Sequence, residues 1–315
     1  MASATHGDFH IDNLLTQISI AYRPQGFIAD QIFPVVPVNK ESNVFAKIDK
    51  GNWLRIPDTL RAPRSAAKEV SYTVSSDTYR AKNYALAGLV DFETIANADG
   101  PYDPRQQNVL FLRDQLAMDF EARVQSLVFS NVGSSLTAGF AWSDFANSDP
   151  VGDCETGINA IFASTGFTPN VCVMPRKTWQ KMRRHPDVVK LVFPGAGIGG
   201  MVNLQQFGDV IGVEKVLVPQ VIQNTADEGQ ADTFSEVWST SVFLGYIAKN
   251  PGLNTPTFGY AFNWRGENIG SNLPTGFQVQ TKVDDNRGVE IVRTGYYQDE
   301  KIVAAELGFA IATGI

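Results

Sequence analysis

The sequence predicts an α+β chain in which a long extended hairpin and a spine helix come first, an α/β unit is inserted, and a β-rich segment closes the fold. Three observations carry this. Residues 44–48 and 70–86 hold two alternating runs, with Val44, Ala46 and Ile48, then Val70, Tyr72 and Val74, spaced by polar residues in the period of a half-buried strand. From Pro104 the apolar set Val109, Leu112, Leu116, Phe120, Val124 and Leu127 recurs at three and four residues, the period of one helix face. After Asp153 short helical and extended patterns alternate, and from about Thr257 the chain reads as strands.

Composition bounds the function. The 315 residues are 43% hydrophobic, enough for a buried core and two or three domains, which excludes disorder and a disulfide scaffold. Acidic residues outnumber basic ones 33 to 26, a net charge of -7, so the chain as a whole repels a phosphate backbone and is not expected to wrap nucleic acid. No apolar run reaches the roughly 18 residues of a membrane span. The first residues carry His6, Asp8 and His10 where a signal peptide needs a basic start and an apolar stretch. A soluble chain with no membrane partner is expected. Cys154 and Cys172 form no C-x-x-C pair and read as free thiols of a reducing compartment.

Charge is unevenly spread. Between Lys40 and Lys82 nine basic residues face five acidic ones, net +4, which leaves -11 on the rest. A basic excursion on an acidic body can meet another copy of that body, because identical chains supply both signs. Between the two extended runs, Arg55 to Arg64 holds Pro57, Pro63 and alternating charge, too much for a central strand. The segment therefore reads as a hairpin with a broad polar tip. An isolated two-stranded hairpin is marginal in water, so it needs a partner surface, on the rest of this chain or on a neighbour, and residues 40–82 are expected to pack mainly on a neighbouring copy.

The helix from Pro104 to about Asn131 opens on Asp103 as cap with Pro104 in the first position, where the missing N–H costs nothing. After a polar stretch to Asp153, Cys154 to Thr165 reads as helix, Asn170 to Met174 as a short buried strand, and Pro175 to Arg184 as a second helix. Phe193 to Asn203 reads as a surface loop. Val213 to Val221 and Glu236 to Ala248 are expected strands, with Asn224 to Thr233 a polar loop between them. Phe258 to Asn263, Gly276 to Val283, Val289 to Tyr297 and Ile302 to Ala312 follow, and Asp284 to Gly288 supplies hairpin turn residues. That C-terminal sheet is the expected seat of the spine helix.

Catalytic signatures are weak. Gly195-Ala-Gly197-Ile-Gly199-Gly200 matches G-x-G-x-x-G, but Pro194 sits where a strand should end and no acid lies about 20 residues on, so a loop is the better reading. Cys172 lies in an apolar run typical of a buried strand, and His185 sits at an expected helix end, where a cation suits the dipole. Neither is read as catalytic. Two cysteines and three histidines offer no zinc spacing, and no G-x-S-x-G, H-E-x-x-H or Walker lysine occurs. Asp284 and Asp285 read as turn residues. No catalytic residue, cofactor or metal is expected.

The order of elements resembles the major capsid protein of tailed bacteriophages, whose fold is shared with herpesvirus capsid floors and encapsulins. Ile28-Ala-Asp-Gln-Ile-Phe-Pro-Val-Val-Pro37, Asn170-Val-Cys-Val-Met-Pro-Arg-Lys-Thr-Trp179 and His185-Pro-Asp187 carry the local likeness. The resemblance implies a structural protein that assembles as hexamers and pentamers into an icosahedral shell around double-stranded DNA. It implies an N-terminal arm at 1–40, an extended loop at 41–91, a peripheral domain at 92–150 with 256–315, and an axial domain at 151–255. It implies a virion capsid assembled in the host cytoplasm, with a portal, a separate scaffolding protein and a possible decoration protein as partners. An encapsulin-like shell or gene-transfer particle is the runner-up, and a cytoplasmic nucleotide-binding enzyme the alternative of another class. Expected contacts between copies join Arg55, Arg61, Arg64 and Lys68 near the hairpin tip to Asp114, Asp119 and Glu121 on the spine helix.

Overall fold

The computed structural model describes residues 26–48, 50–98, 102–195, 200–238, 241–252, 255–265 and 278–315. The first 25 residues of the expected arm with His6 and His10, Gly197 and Gly199 of the glycine run, and the first two residues of the strand expected from Gly276 lie outside them.

A one-turn helix, Ala29–Ile32, leads into β1 (Val35–Val38). Next come β2 (Ser42–Ile48) and β3 (Val74–Arg80), an antiparallel pair with Ser42 opposite Arg80 and Ile48 opposite Val74. Ala81 alone separates β3 from β4 (Lys82–Asp91). The run from Thr78 to Leu86 is therefore split between hairpin and main sheet. A short helix, Phe92–Ala96, precedes the spine helix, Pro104–Ser130. Its 27 residues span about 40 Å at 1.5 Å each, and Asp103 caps it by accepting from the Arg105 amide at 2.9 Å.

Beyond β5 (Ser134–Thr137) the helix Pro150–Thr165 starts on Asp149 as cap and stops at Gly166, whose φ of 77° is left-handed. β6 (Val171–Val173) and the helix Arg176–Met182 follow. Two further helices, Pro186–Val192 and Leu204–Ile211, occupy sequence not expected to be helical. The second carries a capping box between Asn203 and Gln206, the reciprocal pattern that satisfies two orphan amides at once. β7 (Lys215–Leu217), β8 (Ile222–Asn224), β9 (Phe234–Glu236) and β10 (Ser241–Gly245) are shorter than the two strands expected there. The chain closes with β11 (Gly259–Trp264), β12 (Gln278–Asp284), β13 (Val289–Ile302) and β14 (Gly308–Ala312).

Two five-stranded sheets result. In the first, the 14-residue β13 pairs with β4 along Val289 to Gln298 on one side. On its other side it pairs with β12 over Val289 to Gly295 and with β11 over Gln298 to Ile302, and β1 adds in parallel to β11. The spine helix lies across β4 and β13, as the sequence predicts. Gly88 leaves room for the Asn108 side chain of that helix, whose amide would clash with a Cβ there.

The second sheet runs β5, β14, β10, β6, β7, and this corrects the expected partition. The sequence places this strand in the seat of the spine helix; it pairs instead with β10 of the inserted unit and with β5. The expected boundaries at 151 and 256 thus cut through one sheet. The physical reason is burial: Phe309 and Ile311 are buried in one core with Val242, Phe243 and Leu244. That core also takes Ile28, Ala29, Ile32 and Phe33 from the segment expected to be an extended arm. Their inward side chains make residues 28–33 part of the globule.

Candidate assembly surface

The hairpin root belongs to its own chain. Phe45 and Tyr79 are buried with Val36, Val38, Tyr260 and Phe262, and the Tyr79 ring stacks on Phe262 at 4.7 Å between centroids. Each such side chain contributes on the order of 2 kcal/mol through burial. Lys47 pairs with Asp77 across the hairpin at 2.8 Å, which lowers the Asp77 carboxyl below its ordinary range. The expectation that residues 40–82 pack mainly on a neighbouring copy therefore does not hold for the hairpin root, which packs on its own chain.

The tip is different. Strand pairing stops at Ile48 and Val74, a single turn spans Lys50–Trp53, and residues 54–73 are exposed without strand structure. Lys50 ties its base to the body by donating to the Ser164 carbonyl at 2.9 Å and pairing with Glu306. Beyond that point Ile56 and Leu60 stand 94% and 92% exposed, an unusual placement for large apolar side chains on a polar loop. Local bonds shape it: Leu60 N donates to Asp58 Oδ1 at 3.1 Å and Arg61 Nε to the Ser65 carbonyl at 2.5 Å. Arg64 has φ of 66°, a left-handed conformation that costs a non-glycine residue about 1–2 kcal/mol. Arg55, Arg61, Arg64 and Lys68 are all exposed and make no ion pair with a described residue.

On the spine helix the three expected acids part company. Asp114 is half-buried, and Asp119 is exposed and paired with Arg123 one turn on. Glu121 is corrected outright: it is fully buried, in line with Val124 and Val128 on the core stripe. Its carboxylate accepts from Ile28 N at 3.1 Å, Ala29 N at 2.9 Å and Trp238 Nε1 at 2.7 Å. Burial raises its pKa against those hydrogen bonds. A fully buried carboxyl group held by three internal donors does not meet an arginine of another copy. The helix spacing placed it near the core face, but its donors lie 93 and 117 positions away, beyond any local signal.

Arg123, unremarked in the sequence, holds the helix to the sheet. Its guanidinium lies 3.7 Å from the Tyr84 ring centroid, and NH2 donates to Tyr296 OH at 3.1 Å and Glu300 Oε1 at 2.9 Å. The buried Tyr296 phenol is pushed up to about 12, chiefly by desolvation.

The residues weighed for catalysis have structural surroundings. Cys172 sits buried in β6 opposite Leu244, and burial pushes its thiol up to about 12. His185 is fully buried. It does not close the preceding helix as a cation; it opens Pro186–Val192, with Nδ1 accepting from Asp187 N at 3.4 Å and Nε2 3.1 Å from Ser148 Oγ. Desolvation lowers its pKa, so the neutral ring is favoured. Pro194 and Gly195 follow that helix and not a strand, which removes the context a dinucleotide loop needs. Among the described residues no group of three or more His, Cys, Asp or Glu could hold a metal ion, and no helix is long and apolar enough to cross a membrane.

The chain is 29% identical to the major capsid protein of Pseudomonas phage JBD67 over 97% of both chains. It is 24% identical to the major capsid protein of Burkholderia phage BcepMu over 96% of both. No protein-family model matches. Among solved structures, a phage-related protein from Bordetella bronchiseptica RB50 superposes with a TM-score of 0.69 at 22% identity, covering 96% of this chain and 97% of that one. The mature capsid of bacteriophage PhiM1 superposes with a TM-score of 0.60 at 10% identity, covering 99% and 91%.

Proposed function

We infer that this chain, which has the tailed-phage capsid fold and resembles phage major capsid proteins from end to end, is a structural capsid subunit whose copies build the shell of a virion. The observation that carries this is the likeness over 97% of both chains to the major capsid protein of Pseudomonas phage JBD67. A catalytic or ligand site plays no part in the reading.

In this reading copies assemble as hexamers and pentamers into an icosahedral shell around double-stranded DNA, in the host cytoplasm, with a separate scaffolding protein, a portal and in some particles a decoration protein. The exposed tip 54–73 is the element that reaches a neighbour. Its apolar residues Ile56 and Leu60 supply area, and Arg55, Arg61, Arg64 and Lys68 supply register against carboxylates such as Asp114 and Asp119. Pro57 and Pro63 fix φ and reduce the entropy lost on docking. A body with more carboxylates than cations repels packaged duplex, which suits a container that fills and empties.

Negative-stain microscopy and sedimentation of the expressed chain, alone and with a scaffolding protein, test this. Closed particles of uniform diameter are the expected result. A small closed oligomer that never enlarges would overturn it, and particles filled with protein cargo and not DNA would favour an encapsulin-like container.

A further inference from the structure

Between Lys215 and Lys249 the sequence has no basic residue and four acids, Asp227, Glu228, Asp232 and Glu236. The structure gathers them on one projection, the hairpin of β8 and β9 with its loop. That loop is held stiff. Asn224 Oδ1 accepts from Ala226 N at 3.1 Å and Thr233 N at 3.0 Å, Asn224 Nδ2 donates to Asp232 Oδ1 at 2.8 Å, and Thr225 N donates to the Thr233 carbonyl at 2.8 Å. By the strand register Ile222 and Phe234 share one face of the hairpin, where they stand 52% and 65% exposed.

A surface of opposite sign lies on the same half of the chain. The helix Arg176–Met182 and the turn after it carry Lys177, Lys181 and Arg184 at i, i+4 and i+7, with Arg183 beside them. None of these four side chains makes an ion pair with a described residue. The hairpin root meets this surface through Glu236 and Arg176, 3.5 Å apart, so the acidic and basic faces adjoin in one chain while most of their charges stay unmatched within it.

The geometry points to a head-to-tail contact in which the acidic β8–β9 hairpin of one copy docks on the Lys177, Lys181, Arg184 face of the next. Charge complementarity selects a second copy as the occupant. Ile222 and Phe234 give the contact an apolar centre, and the pre-stiffened loop loses little freedom on docking. A contact between two different patches of the same chain closes into a ring when the rotation allows. The inference rests on the capsid reading for that ring, and it involves a surface separate from the 54–73 tip.

The test uses the full chain in three variants: Lys177→Glu with Lys181→Glu and Arg184→Glu, Asp227→Lys with Glu228→Lys and Asp232→Lys, and the chain carrying all six changes. Each triple reversal should lower the fraction sedimenting as oligomer by about tenfold or more, because like charges then face each other. The six-fold variant should return to within about twofold of wild type, since the complementarity is restored with exchanged signs. Triple variants that assemble normally, or a six-fold variant that is folded by circular dichroism and still fails to assemble, overturn the pairing. If a triple variant does not fold, neutral replacements at the same sites (Lys177, Lys181, Arg184 and Glu228 to Gln, Asp227 and Asp232 to Asn) are read by salt: wild-type oligomers should weaken with added salt, and neutralised ones should lose that dependence. Retention of double-stranded DNA that only the basic-face reversal abolishes, with oligomers unaffected by the hairpin reversal, would assign the face to phosphate and overturn the contact. Rescue by the six-fold variant in small oligomers that never form shells would uphold the pairing and reject the capsid reading.

Discussion

Trp238 donates its indole N–H to Glu121 Oε1 at 2.7 Å, a bond between residues 117 positions apart. The same carboxyl group holds the Ile28 and Ala29 amides, so the entry segment, the spine helix and the end of the β8–β9 hairpin converge on one buried acid. All three neighbours are donors, and their hydrogen bonds oppose the rise that burial imposes on the pKa of this carboxyl group.

Replacing Glu121 by Ala should cost about 3 kcal/mol or more, because three buried donors lose their acceptor together. Glu121→Gln, which keeps one carbonyl oxygen, should cost less, and denaturant midpoints at constant m-value order the two. The pH dependence has a definite sign. Burial holds the Glu121 pKa above its ordinary 4.5, so the folded chain binds this proton more tightly than the unfolded one. The contribution is full below 4.5 and is lost as pH rises through the folded value, so the stability of wild type relative to Glu121→Gln should fall as pH rises.

His185 has the opposite dependence. Its pKa is held below 6.5 by burial, so the unfolded chain takes up the proton first. Stability from this residue is present above 6.5 and lost as pH falls toward the folded value. Melting curves of wild type should drop across that window more than those of His185→Gln. The substitution itself should cost about 1 kcal/mol through the helix cap and the Ser148 contact.

Arg61→Glu with Arg64→Glu should leave the chain folded, within about 0.5 kcal/mol of wild type, because both side chains are exposed and touch only the tip. Shell formation should weaken or stop, and salt should weaken wild-type assembly in the same direction. Light scattering with a thermal melt on the same sample checks both halves; normal particles from the variant would show the arginines to be merely solvated.

Both thiols should resist alkylation in the native chain and react once it is unfolded. Burial raises Cys154 and Cys172, and only the thiolate is nucleophilic. Mass spectrometry after iodoacetamide treatment, with and without denaturant, reads this directly. Cys172→Ser should cost about 1 kcal/mol or more without changing particle shape.

The spine helix was legible because its signals are local: Asp103, Pro104 and an apolar recurrence at three and four residues. The hairpin was legible only in part: Val44, Ala46 and Ile48 lie in β2 and the two prolines in the tip, but Val70 and Tyr72 fall in the exposed tip and the second strand begins only at Val74. Pro186–Val192 was missed because its cap is a histidine, a residue that reads first as a titratable group. Leu204–Ile211 was missed although Asn203 and Gln206 spell a capping box, because the glycines before it drew the reading toward a loop. The assignment of β14 to the second sheet depends on which core accepts Phe309 and Ile311, and no spacing encodes that choice. Of the proposed contact residues, the tip cations stand exposed. Glu121 does not, because its partners are brought to it by the fold.

The single residue Ala81 between β3 and β4 has a mechanical consequence. A pull on β4 along its own axis would meet the ten-residue antiparallel register that joins it to β13, from Lys82 to Asp91. Ladder hydrogen bonds run perpendicular to the strands, so an axial pull loads them in shear, all together, instead of opening them one at a time from an end. Against a pull in that direction, the strand that follows the hairpin is held by its whole ladder.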